Sequence, residues 1–113
     1  MLPEHVQSLV DRVLTSDAAV STPALRREVF DYVAALTRGQ VPIAPPVDLT
    51  PYLRKVALHA YKVLDREVEA IQAAGFDVDQ AFEVTVAAAV SAGVTRLEMA
   101  LAALEEVADA PAD

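Results

Sequence analysis

The sequence predicts an all-α protein of about five helices, the last of them long and rich in Ala and Val. Apolar residues recur every three or four positions, and no run alternates apolar and polar residues between turn residues, so strand signals are almost absent. The chain has 113 residues, of which 54% are apolar and only 5% aromatic. We therefore expect a single domain with a core of Ala, Val and Leu, whose small side chains let helices approach closely.

The first two helices are delimited by their apolar spacing and by residues typical of helix ends. Val6, Leu9, Val10 and Val13 share one face of a helix predicted over His5–Leu14. The next helix begins at Thr22-Pro23, because Thr can accept from the first free N–H groups and Pro needs no N–H partner there. Gly39 ends it, since glycine tolerates the left-handed conformation that follows many helices. The residues expected to face the core from this second helix are Leu25, Val29, Tyr32 or Val33, and Leu36.

An extended connector precedes the third helix. The segment 40–49, QVPIAPPVDL, carries three prolines and cannot continue a helix. Thr50-Pro51 repeats the capping signal and opens a helix predicted to run from Pro51 to about Leu64. Its expected core residues are Leu53, Val56, Ala57, Ala60 and Leu64.

The C-terminal part of the chain predicts a short helix and a long one. Asp65 is expected to cap the short helix REVEAIQAA, which Gly75 ends. Asp77 and Gln80 have the spacing of a reciprocal capping pair at the start of the long helix. That helix is predicted to run from about Val78 to Val107. We expect residues 1–108 to form one helical domain and residues 109–113 a disordered tail.

Two faces of the long helix are apolar. The larger side chains have helical spacing and predict the face turned towards the core: Phe82, Val86, Val90, Gly93, Leu97, Leu101 and Leu104. The opposite face is made of small residues, and either neighbouring helices or another subunit must cover it. We predict that it forms an interface with a partner, through Val84, Ala87, Ala88, Ser91 and Thr95.

Composition disfavours several classes of function and of location. A formal charge of −8 repels phosphate backbones and anionic lipids, so we expect no nucleic-acid partner. The uncharged run Val84–Thr95 has twelve residues, short of the roughly 20 that a membrane span needs, so no membrane partner is expected either. The N-terminus has no basic and apolar secretory pattern. A cytoplasmic location is therefore predicted.

The order of elements between Ala60 and Leu101 is similar to that of a known family. The segment contains the short-helix residues Val68-Glu69-Ala70-Ile71, the turn Ala73-Ala74-Gly75, the capping pair Asp77 and Gln80, and Arg96-Leu97 within an Ala- and Val-rich helix. In these features it resembles the C-terminal half of the alkylhydroperoxidase D-like, or carboxymuconolactone decarboxylase-like, all-helical family. The resemblance implies a helical bundle and homo-oligomers whose subunits meet through small-residue helices.

The redox residues of that family are missing here. Its peroxidase members carry a Cys-x-x-Cys pair with a nearby Glu and His, whereas this chain has no cysteine. Thiol peroxidase activity is therefore excluded unless a partner chain supplies the thiols. His59 precedes the similar segment and takes no catalytic role from the resemblance.

Three residues are the candidates for any chemistry. His59 could act as an acid or base, with Tyr61 or Arg96 in support, on a carboxylated or lactone-like molecule. The structural alternative is that His59 packs at the edge of the core and that Arg96 bonds a carboxylate or a helix C-terminus. No pair of metal ligands has a suitable spacing, so no metal and no cofactor is expected.

These observations favour a non-catalytic helical protein. We predict an accessory or structural subunit that packs against copies of itself, so that it is a homo-oligomer, or against a cognate enzyme. The alternative is a small enzyme or ligand-binding protein that acts through His59, Tyr61 and Arg96.

Overall fold

A computed structural model describes residues 2–17, 19–43, 49–59 and 65–109, and within these ranges the protein is all-α with no strand. The predicted fold class is confirmed. The five helices found there, in chain order, are α1 (Glu4–Thr15), α2 (Pro23–Thr37), α3 (Thr50–His59), α4 (Asp65–Ala73) and α5 (Val78–Asp109).

The predicted helix ends depend on the residues expected to cap them. Thr22 Oγ1 accepts a hydrogen bond from the Leu25 N–H at 3.1 Å, which satisfies a donor in the first turn of α2. At the start of α5, Gln80 N–H donates to Asp77 Oδ1 at 2.8 Å and Asp77 N–H donates to Gln80 Oε1 at 3.0 Å. This reciprocal pair confirms the predicted capping box.

Gly39 and Gly75 end α2 and α4 as predicted. Their φ angles are +72° and +109°, in the region that disfavours a side chain. Beyond Gly75, the Phe76 N–H donates to the Ile71 carbonyl at 3.2 Å, so an otherwise free carbonyl of α4 finds a donor.

The core lies between α2, α3 and the N-terminal half of α5. The pairing of α2 with α5 is the most extensive, while α1 packs on α2 and α5, and α4 packs on α3 and α5. The main cluster of buried apolar residues draws on each of these helices except α1, together with Leu49 just before α3. A smaller cluster joins α1 to α5 through Val10, Leu14 and Val94. Helix α5 thus contacts each of the other four helices and contributes to both clusters.

The face of α5 that turns inward is the one with small side chains. The predicted inward face is wrong at four positions: Phe82 and Leu104 are 68% and 65% exposed, and Gly93 and Leu97 are exposed as well. In their place, Val84, Ala87 and Ala88 are fully buried. Small side chains allow the backbone of α2 to come close: Ser91 Oγ donates directly to the Phe30 carbonyl at 2.6 Å. Larger residues on this face would hold the two helices apart.

Helix α5 extends beyond the other four helices. At 1.5 Å per residue its 32 residues are about 48 Å long, in a molecule of 59 × 29 × 24 Å. No residue of α5 after Thr95 is buried. The C-terminal third of the helix therefore projects from the bundle.

Some predictions fall on residues that lie outside the described ranges. They are the end of α3 at Leu64, with its core residues Ala60 and Leu64, the central part of the proline-rich connector, and residues 110–113 of the tail; the side chain of Asp65 is likewise not described. Asp109, which we assigned to the tail, is the last residue of α5.

Candidate interaction surface

A continuous apolar stripe follows the outward side of α5. Its residues are spaced by three or four positions, none is charged, and all are exposed except the half-buried Val86. We refer to this set as the outward stripe: Phe82, Val86, Ala89, Gly93, Leu97, Ala100, Leu104 and Val107. It starts where α5 packs on the core and continues along the projecting end.

The outward stripe is long enough to be a binding surface. From Phe82 to Val107 it extends about 38 Å at 1.5 Å per residue, and a helix is about 10 Å wide. The product is on the order of 400 Å², the size of the largest exposed apolar patch on a typical monomer, which is often functional. Its large members are well exposed: Phe82 68%, Leu104 65% and Val107 74%.

Two apolar cavities flank Phe82, one on each side. The first, of about 170 Å³, lies towards α1 and is lined by Arg12, Val13 and Val86 among others. The second, of about 250 Å³, lies towards α4 and is lined by residues that include Val68 and Val78. Phe82 lines both cavities and forms a ridge between them. The N-terminal half of the outward stripe is therefore a ridge with a groove along each edge.

A buried arginine orders the loop beside the first cavity. Arg26 is 2% exposed and donates through Nη1 to the Ser21 carbonyl and through Nη2 to the Ser16 carbonyl, both at 2.6 Å. Its Nη1 also lies 3.1 Å from Ser21 Oγ, and Ser21 Oγ donates to Glu83 Oε1 at 2.6 Å. This Arg26–Ser21–Glu83 network ties the connection between α1 and α2 to α5. The Arg26 Nε–H is buried without a partner among the described residues.

Glu83 accepts three hydrogen bonds from that loop. The donors are the Ser21 hydroxyl, the Ser21 N–H at 2.7 Å and the Val20 N–H at 3.0 Å. Partial desolvation alone would raise the pKa of Glu83, but these hydrogen bonds, helped by the nearby Arg26 charge, outweigh it and lower the pKa below its ordinary value of 4.5. Ser21 is 5% exposed and its hydroxyl is engaged on both sides, so the arrangement acts as a structural tie.

The residues predicted as an interface lie in the core of the chain. Val84, Ala87, Ala88 and Ser91 are 0% exposed and Thr95 is 2% exposed. This corrects the sequence interpretation: neighbouring helices of the same chain cover the small-residue face, and the face left for a partner is the outward stripe. The reason is the close approach to α2, which only small side chains permit.

Of the candidate residues for chemistry, His59 and Arg96 do not line a common cavity. His59, the last residue of α3 that the structure describes, is exposed and lines a cavity of about 410 Å³ with Arg54 and Lys55. Arg96 is not among the residues that line this cavity; its Nη2 donates to the Ala57 carbonyl at 2.6 Å. Arg96 therefore donates to a backbone carbonyl of α3. Tyr61 lies outside the described residues.

Sequence reasoning missed the role of Arg26. The neighbouring Arg27 pairs with Asp31 at 3.8 Å on the exposed side of α2, whereas Arg26 is buried. The signal was present, because Arg26 stands three and seven positions before Val29 and Val33 and shares their face of the helix. A cationic side chain on the core-facing side of a helix is expected to be buried and therefore needs buried hydrogen-bond acceptors.

The acidic and histidine side chains do not gather into a metal site. Across the described ranges, no group of three His, Asp or Glu side chains could hold a metal ion. Helix α5 is long and apolar enough to cross a membrane by length and composition, a test that the core helix of a soluble protein also passes.

Comparison of the chain with protein-family models, with curated proteins and with solved structures finds no match. The resemblance to the alkylhydroperoxidase D-like family therefore stays a prediction, which rests on the residues of Ala60–Leu101.

Proposed function

We propose that this protein is a non-catalytic helical subunit that associates with itself through the outward stripe of α5. The observation that supports the proposal is the continuous apolar surface, about 38 Å long, that the fold leaves uncovered. Removing such a surface from water stabilises association at roughly 25 cal/mol per Å² before the cost of lost motion is subtracted. A second copy is the partner of choice because it brings an identical stripe.

Two other occupants have less support. A helix that crosses a lipid bilayer needs an apolar surface all round, whereas the projecting end of α5 carries Glu105, Glu106 and Asp109. The small-residue face of α5 is, in addition, already packed against α2. A cognate enzyme would need a surface complementary to the stripe, and nothing in the chain specifies one.

The enzymatic alternative is weaker still. It requires His59 and Arg96 to act on one substrate, yet Arg96 does not line the cavity at His59 and its guanidinium donates to the carbonyl of Ala57. A shared pocket is what the alternative needed.

A matched pair of substitutions tests the proposal. Ala100 and Ala102 are both exposed alanines on the projecting end of α5, but Ala100 belongs to the outward stripe and Ala102 faces the opposite way. We expect wild type to be a stable oligomer in light scattering, Ala100→Glu to be a folded monomer, and Ala102→Glu to keep the wild-type mass.

Several outcomes would contradict the proposal. A wild-type monomer at every concentration would remove it, as would equal effects of the two substitutions. Flotation of the wild-type protein with neutral phosphatidylcholine vesicles, lost in Ala100→Glu, would assign the stripe to a membrane. Normal oligomers of Ala100→Glu would place the contact elsewhere on the surface.

A further inference from the structure

Resting on the self-association proposed above, we propose that two copies pack their α5 helices antiparallel about a two-fold axis at Gly93. In this arrangement Leu104 and Val107 of the second copy lie in the two grooves on either side of Phe82. The proposal adds an orientation, a register and a set of contacts to the association.

The spacing of the outward stripe is symmetric about Gly93. Ala89 and Leu97 lie four positions away on either side, Val86 and Ala100 lie seven, and Phe82 and Leu104 lie eleven. An antiparallel pair centred on Gly93 therefore places a stripe residue opposite a stripe residue from Phe82 to Leu104, whereas Val107 comes level with Asp79. Gly93 itself has open space where a side chain would be, so two backbones can approach closely at the centre.

Side-chain volumes favour the antiparallel pair over the parallel one. With antiparallel helices, Leu97 faces Ala89 and Val86 faces Ala100, so that these two levels join a large residue to a small one. With parallel helices in register, Leu97 would face Leu97 and Ala100 would face Ala100, which crowds some levels and leaves gaps at others. Well-packed interfaces approach the density of protein interiors, so the alternating fit is the more stable.

The grooves beside Phe82 match side chains on the projecting end. Leu104 is 18 positions, or five full turns, after Val86, so both point to the edge of the stripe that borders α1. Val107 points within about 20° of the direction of Val78, which lines the groove towards α4. In the antiparallel pair, the two-fold axis is perpendicular to both helices. The α1 edge of one helix and the α1 edge of the other therefore lie on the same side of the pair. Leu104 of the second copy therefore meets the groove towards α1, and Val107 meets the groove towards α4.

Charge agrees with the same edge pairing. Arg12 lines the groove towards α1 and makes no ion pair within the described part of the chain. Glu105 directly follows Leu104 and lies about 100° further round the helix, on the flank of α5 that borders α1. The two-fold axis brings Glu105 of the second copy to the level of the groove at Arg12, where opposite charges favour docking.

The antiparallel arrangement also covers the projecting end of α5. Residues 97–107 of one copy then lie beside residues 79–89 of the other, the part of α5 that is anchored in its own bundle. Parallel helices would bring together two projecting ends that neither bundle supports.

Engineered cysteines test the orientation, since the chain has none of its own. Val86→Cys and Ala100→Cys chains, one of them carrying a size tag, are mixed and oxidised gently, and the masses of the linked dimers are measured. We expect the mixed disulfide, which joins a Val86→Cys chain to an Ala100→Cys chain, to dominate over either homodisulfide by at least about tenfold. The reason is that only opposed positions bring the two sulfur atoms within bonding range.

The results separate this proposal from the proposed function. A dimeric wild type whose variants give mainly homodisulfides has parallel helices, which overturns the orientation but leaves the self-association. A dimer in which neither kind of disulfide forms overturns the register. A wild type that is monomeric in sedimentation overturns both.

A charge exchange tests the edge pairing independently. Arg12→Glu or Glu105→Arg alone should raise the dimer Kd by about three- to tenfold, and the double variant should return it to within about twofold of wild type. A double variant as weak as the worse single one overturns the contact between Arg12 and Glu105.

Discussion

Burying an arginine is costly unless its N–H groups find acceptors, and Arg26 shows how this chain supplies them. Two acceptors are loop carbonyls, of Ser16 and Ser21, and the neutralising charge is Glu83 on α5. The network explains how Ser16, Val20 and Ser21, which belong to no helix, are held against Arg26 and Glu83. Ser16, Arg26 and Glu83 of this network also line the groove towards α1.

Replacing the carboxylate of this network tests its contribution. Glu83→Gln keeps one acceptor oxygen but loses the charge and replaces the second acceptor oxygen by an NH2 donor, so we expect the free energy of unfolding at neutral pH to fall by about 1–3 kcal/mol. Chemical denaturation of the folded monomer gives the measurement. Glu98→Gln, which affects an ion pair of 3.5 Å at the surface, is the control and should change stability by less than about 1 kcal/mol.

The lowered pKa of Glu83 gives the same test a pH dependence. Because the pKa is lower in the folded state, the contribution of the carboxylate is complete above the ordinary value of 4.5 and is lost as pH falls through the lower folded-state value. The stability difference between wild type and Glu83→Gln should therefore narrow on acidification below about 4.5. A difference that is constant with pH would contradict the network.

At the scale of elements, α5 has two apolar faces with different roles. The face with small residues packs against α2 at close range, with the Ser91 hydroxyl donating to the backbone of α2. The face with larger residues points outward and carries the candidate surface. Side-chain size on α5 thus separates intramolecular packing from the proposed association.

Two glycines at contrasting positions test the local backbone. A methyl group at Gly75 or at Gly93 would meet no atom within 4 Å, so sterics with neighbours play no part. Gly75 has φ +109°, and Gly75→Ala should destabilise the chain by about 1–3 kcal/mol. Gly93 lies in mid-helix, and Gly93→Ala should stabilise by about 0.5–1 kcal/mol. Both changes in stability are measured by thermal unfolding in the monomeric Ala100→Glu background. Changes of the same sign would contradict the backbone conformations described for Gly75 and Gly93.

At the scale of the whole molecule, the core and the candidate surface overlap little. The helix bundle ends at Thr95, while the outward stripe continues to Val107 on a helix end that no part of the bundle buries. Folding of the bundle and association of copies are therefore expected to depend on different parts of α5.

A shortened chain tests this separation. Ending the chain after Met99 removes Ala100, Leu104 and Val107 of the stripe and no buried residue. We expect a folded monomer, with helical signal in proportion to its length and a free energy of unfolding within about 1 kcal/mol of the Ala100→Glu monomer. A chain ending after Asp109 serves as control and should stay associated. A shortened chain that remains dimeric would contradict the proposed surface.

The sequence alone determined the number and kind of elements and most of their ends. The signals that determine them act within one or two helical turns, so their effects can be deduced without knowing which helices pack together. These signals are the spacing of apolar residues, the Thr-Pro pairs, Gly39, Gly75, and the pair Asp77 and Gln80. Tertiary structure decided which face of α5 is inside and that Arg26 is buried. Both depend on how closely α2 approaches α5, a distance between segments far apart in the chain that helical periodicity does not encode.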